Sequence, residues 1–207
     1  MEDEISNKDF EKQEALIGRF IISFESINDW IRFIIPVIIF PNGVNEIQRR
    51  NIDSLLTDLG ADQLRLKFDS LIFDSFSSFH GFIKVNNILS KKVSDLIPIR
   101  NSIAHGSYRL GWKNFNLESS NSTFSLRHSK STKKGYQKRS KIISVDDLDN
   151  LIKITDEIIS CYHKISVIIK HLNIHKKVDL AENKIIQLTE EVNNLDKINL
   201  PHLDIIN

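Results

Sequence analysis

From Leu16 to Ile38 the residues Leu16, Phe20, Phe24, Ile27, Ile31, Ile34 and Ile38 recur at spacings of three and four. That period matches the turn of an α-helix and not the two-residue alternation of a strand, so the chain must bury one long helical stripe. Comparable stripes follow: Leu64, Phe68, Leu71, Ile72 and Phe76; then Phe79, Phe82, Ile83, Val85, Ile88 and Leu89; then Leu148, Leu151, Thr155, Ile158, Tyr162, Ile165, Ile169 and Leu172. Helices with one apolar face cover one another. The expected fold is therefore all-α, an up-and-down bundle of four to five helices.

Local signals set the boundaries. Ser6 with Asp9 and Ser144 with Asp147 have capping-box spacing at the two long helix starts. Pro41-Asn42-Gly43 ends the first helix, and residues 44–60 form a short helix or an irregular connection closed by Gly60. Pro98 removes a backbone donor from the third long helix, which kinks there or restarts with Ser94 as a new N-cap; a kink is favoured. Over 108–143 the helical period disappears among Gly, Ser, Asn and Thr, with short alternations at Phe115–Leu117 and Phe124–Leu126, so a small β-hairpin or loop insertion is expected. Val178, Ala181, Ile185, Leu188, Val192 and Leu195 form a heptad seam on an extra C-terminal helix, docked on its own bundle or paired with a second copy. The domain reading is a bundle over 1–172, including the insertion, and a helix with its tail over 173–207.

Composition narrows the function classes. A chain of 207 residues with 41% hydrophobic content can bury one core. A net charge of +1 means that nucleic acid would have to be attracted by a local patch. A single cysteine, Cys161, precludes an intrachain disulfide, and its apolar helical setting points to burial and not to nucleophilic catalysis. Scattered histidines without Cys pairs give no zinc pattern, so neither metal nor cofactor is expected. The acidic start Met-Glu-Asp-Glu is unlike a signal peptide, and the apolar run Trp30–Phe40 is short and holds Arg32 and Pro36. A cytoplasmic protein without a membrane span is expected.

The chemistry concentrates in Ile99-Arg-Asn-Ser-Ile-Ala-His-Gly106. On a helix Asn101 and His105, four apart, share one face; Arg100 can swing toward it while Ile99 and Ile103 turn to the core. Gly106 suits a C-cap, which puts His105 in the last turn. RNA cleavage without a metal needs a base for the 2′-OH proton, an acid for the leaving 5′ oxygen and a cation over the phosphate. His105 and Arg100 have these capabilities. The products would carry a 2′,3′-cyclic phosphate and a 5′-OH, and the shortage of groups in one copy suggests that two motifs meet across a two-fold axis. The alternative is an ordinary polar helix end.

Arg100-Asn-Ser-Ile-Ala-His-Gly106, at the end of the third long helix, resembles the signature of the HEPN superfamily: Arg, a polar residue, three variable residues, His. The resemblance extends architecturally over residues 9–172. It implies a dimeric, metal-independent endoribonuclease of toxin–antitoxin, phage-defence (abortive infection) or CRISPR-associated systems, with Arg100 and His105 as the catalytic pair and Asn101 orienting it. Some HEPN toxins place a modifiable Tyr two residues after the His; here Tyr108 stands three after His105. Any antitoxin or regulatory partner would be a separate chain. Glu25, mid-helix, matches the functional acid that some members carry on the first helix, or else belongs to the solvated face with Asp29 and Arg32.

Between Arg127 and Lys141 stand Arg127, Lys130, Lys133, Lys134, Lys138, Arg139 and Lys141 with no acid and with Tyr136 interleaved. A flexible basic loop of this kind would track RNA phosphates, or be an inert solvated insertion. His80 and His163 read as packing or surface residues. Two rival functions stand beside the nuclease: a non-catalytic HEPN module binding RNA, a nucleotide or a partner protein, and a structural helical protein assembled through the heptads.

Overall fold

A computed structural model describes residues 7–105, 107–110, 123–132, 135–173, 175–201 and 205–206, with side chains over 11–105, 143–173 and 175–201. The framework is all-α, with helices α1 (Asn7–Ile39), α2 (Glu46–Leu56), α3 (Ala61–Phe76), α4 (His80–His105), α5 (Val145–Asn173) and α6 (Val178–Lys197). Between α4 and α5 lie strands β1 (Ser107–Leu110), β2 (Thr123–Thr132) and β3 (Gly135–Ser144), and a two-residue β4 (Ile205–Ile206) follows α6. No helix among the described residues is long and apolar enough to cross a membrane.

The helix ends have identifiable causes. Phe40 N–H still bonds Pro36 O at 2.9 Å, after which Gly43, at a φ of +108° open mainly to glycine, turns the chain out of α1. A full capping box starts α2: Gln48 N–H donates to Asn45 Oδ1 at 2.9 Å and Asn45 N–H to Gln48 Oε1 at 3.0 Å. The stretch left open between helix and irregular connection is thus a helix. Ser144 and Asp147 close the expected box on α5, each backbone N–H donating to the other's side chain at 3.0 Å. Ser6 lies outside the described residues. Helix α4 runs through Pro98 without restarting, so Ser94 is an interior residue and not an N-cap.

The chain divides into two compact units. One comprises the described parts of 1–23, 98–153 and 200–207; the other is 24–97 with 154–199. The second is a helical bundle whose core includes Phe24, Ile31, Leu64, Phe68, Phe82, Leu89, Ile158 and Tyr162, each fully buried. Phe68 meets Tyr162 edge to face at 5.7 Å, joining α3 to α5. On α6, Ala181, Ile185, Leu188, Val192 and Leu195 are buried within this single chain. Gly81 permits the approach of α6 to α4, since a Cβ there would lie 3.1 Å from Ile185 Cγ2. The buried Lys92 of α4 donates to Asp196 O at 3.0 Å and Ile198 O at 2.7 Å, satisfying carbonyls at the end of α6. From Ala181 onward the heptad seam is therefore covered in cis, while its first residue, Val178, is exposed.

The first unit holds the sheet, in the order β1-β2-β3-β4 with every neighbouring pair antiparallel. Its buried residues include Phe20, Ile99, Ile103, Ile143, Leu148 and Leu151. Strands β2 and β3 pair from Thr123↔Ser144 to Thr132↔Gly135, so the insertion contains the hairpin expected of it. Phe115–Leu117 lies outside the described residues.

Candidate active site

Residues 99–105 are helical, and the apolar and polar positions separate as their spacing requires. Ile99 and Ile103, four apart, are 8% and 0% exposed, while Asn101 and His105, also four apart, are exposed to solvent. Burial of the two isoleucines fixes the rotation of the last two turns of α4 and aims the polar residues outward. Arg100 is half-buried between these faces, and its Nη1 donates to Asn101 Oδ1 at 3.1 Å. The amide thereby holds the guanidinium on the motif face. His105 occupies the last turn of α4. Gly106, the expected C-cap, lies outside the described residues.

The other expected site residues are distributed as follows. Tyr108 is in β1, registered opposite Leu126. Glu25 lies in the other compact unit, half-buried on α1, where Oε2 accepts from Asn28 Nδ2 at 3.0 Å. Asp29 and Arg32 pair with each other at 3.3 Å. In the basic segment, Arg127 and Lys130 are on β2, opposite Ser140 and Gln137, and Lys138 and Arg139 are on β3, opposite Ser129 and His128. The described part of that segment is a paired hairpin, the first of the two forms expected of the insertion, in which β2 and β3 satisfy each other's backbone groups. Lys133 and Lys134 lie outside the described residues.

Cys161 is buried, and burial, with Glu191 nearby, pushes its thiol up to about 11 despite Lys164. That is the opposite of what a nucleophile needs. His80 and His163 are exposed. Among the described residues no three His, Cys, Asp or Glu side chains group as metal ligands.

Two groupings escaped the sequence pattern because each joins side chains distant along the chain. In the first, Asp69 of α3 accepts from Arg65 Nη1 at 3.2 Å, from Asn86 Nδ2 at 2.8 Å and from the Ser90 hydroxyl, while Arg65 also donates to Ser90 Oγ at 2.7 Å. In the second, Trp30 and Phe33 of α1 meet edge to face, and Arg49 of α2 and Lys170 of α5 lie over the Phe33 ring. Compared with known protein families, curated proteins and solved structures, the chain finds no match.

Proposed function

We propose that the protein is a metal-independent endoribonuclease of the HEPN type, acting in the cytoplasm as a toxin or antiviral effector. The observation that carries this reading is the exposed face of Asn101 and His105 with Arg100 tied to it, at the end of a helix whose opposite side is buried.

The chemistry uses the substrate's own hydroxyl. An imidazole takes the 2′-OH proton as O2′ attacks phosphorus, a second acid returns a proton to the departing 5′ oxygen, and Arg100 offsets the charge that builds on the phosphoryl oxygens. One copy of the motif offers one imidazole, so a homodimer contributing His105 twice would complete the acid–base pair. The basic hairpin residues Arg127, Lys130, Lys138 and Arg139 would hold flanking phosphates.

The test is incubation of purified protein with RNA in EDTA, with mapping of product ends. Fragments with 2′,3′-cyclic phosphate and 5′-OH ends are expected. Intact RNA, or cleavage only after a divalent metal is restored, would refute the reading. The single imidazole of the motif also favours a second reading, a non-catalytic module that binds RNA, a nucleotide or a partner protein; binding without product would identify it.

A further inference from the structure

In the α-helical unit a shallow, open groove of about 410 Å³ between α1 and α2 is lined by Ser26, Asp29, Trp30, Phe33 and Arg49. Its aromatic floor differs from the core face of α1. Phe24, Ile27, Ile31 and Ile34 of the same helix are fully buried, whereas Trp30 and Phe33 stay half-exposed. Their rings meet edge to face at 5.5 Å, and the exposed His163 of α5 meets Trp30 at 5.3 Å. Two cations from different helices reach one ring: the Arg49 guanidinium carbon lies 5.1 Å from the centroid of Phe33 and Lys170 Nζ 5.4 Å.

From this juxtaposition we infer that the Trp30–Phe33 groove is a binding site for single-stranded nucleic acid. A base would stack on Trp30, and Arg49 and Lys170, gathered by the Phe33 ring, would hold the adjoining phosphates. The half-exposed indole offers a face that every base can stack on, and the two cations over the neighbouring Phe33 ring supply the sequence-independent attraction to a phosphate chain. The carboxylates at the rim are already engaged, Asp29 with Arg32 at 3.3 Å and Asp53 with Arg49 at 4.0 Å. The latter contact is long and the Arg49 side chain 43% exposed, so the guanidinium can exchange that partner for a phosphate. The inference does not depend on whether the Arg100–His105 motif cleaves RNA.

The chain contains two tryptophans, Trp30 and Trp112, so Trp112→Phe makes Trp30 the sole emitter. This full-length variant is titrated with a labelled 2′-O-methyl oligoribonucleotide of about 12 nucleotides, uncleavable for lack of a free hydroxyl. Anisotropy of the label reports binding, and tryptophan emission reports where it occurs. Saturable quenching of Trp30 in step with anisotropy is expected. Adding Arg49→Gln and Lys170→Gln should raise Kd about tenfold at low salt and flatten the log–log salt dependence by about 1.4, two phosphate contacts at ~0.7 each. Phe33→Leu, which keeps both cations, should also weaken binding and leave that slope unchanged. Absence of binding, binding that leaves Trp30 emission unchanged, or a Kd indifferent to the paired Gln substitutions would overturn the inference.

Discussion

Helix α4 takes part in two polar groupings built from similar side chains, with opposite outcomes. Near its middle, Asn86 and Ser90 join Arg65 and Asp69 of α3; Asn86 is 2% exposed, Ser90 6%, and Asp69 accepts from three side chains at once. At its end, Arg100 and Asn101 hydrogen-bond each other while Asn101 and His105 stand in solvent. A largely buried network centred on one carboxylate, which leaves only the Asn86 Oδ1 atom of its buried members unpartnered, ties α3 to α4. Exposed polar groups at a helix end, aimed by two buried isoleucines, do nothing for the core and remain available to a ligand. Residue type alone does not separate structure from chemistry; burial and partners do.

Substitutions can break or sharpen that contrast. The largest effect is expected at the exposed end: His105→Ala should lower RNA cleavage by about 10²–10⁴-fold, the contribution typical of a positioned acid or base, with Tm unchanged. Asp69→Ala should do the reverse. Removing the shared acceptor takes the carboxylate from Asn86 and Ser90, while Arg65 keeps Asp62 at 2.7 Å and Ser90, and should cost about 1–3 kcal/mol in denaturant unfolding, with cleavage per folded molecule preserved. A smaller loss, about 1 kcal/mol, is expected for Asn45→Ala, which removes the α2 capping box and touches neither grouping.

The smallest effect concerns pH. Burial, then Lys184, His175 and Lys177, lower the pKa of His171 below its ordinary 6.5. The unfolded chain therefore takes up this proton first, so stability should begin to fall as pH drops below 6.5 and level off once the folded histidine is also protonated. His171→Gln should flatten unfolding midpoints measured across that range.

How far the sequence could be read depended on the range of each signal. Helices α1, α3, α4 and α5 were legible because their buried faces repeat every three to four residues. Only Ile52 and Leu56 of α2 are buried, too few to show a period, although Asn45 and Gln48 carried its start in plain view. The α6 seam was legible as a seam, yet an apolar stripe reads the same whether its own bundle or a second chain covers it. Only the burial of Ala181 to Leu195 in this chain decides between them. Strand β4 could not be read, since Ile205 and Ile206 pair with Lys141 and Ser140 far back in the chain. The motif's rotation was legible from Ile99 and Ile103. The Asp69 network and the Trp30–Phe33 groove were not, because each assembles single residues from two or three helices.

The exposed end of α4 as the seat of chemistry is tested most directly by the rate of RNA cleavage in EDTA for His105→Ala relative to the unsubstituted protein, normalised to folded molecules. A loss of at least about a hundredfold, with an unchanged Tm, is the expected result. A rate equal to that of the unsubstituted protein, or no cleavage by either, would contradict it.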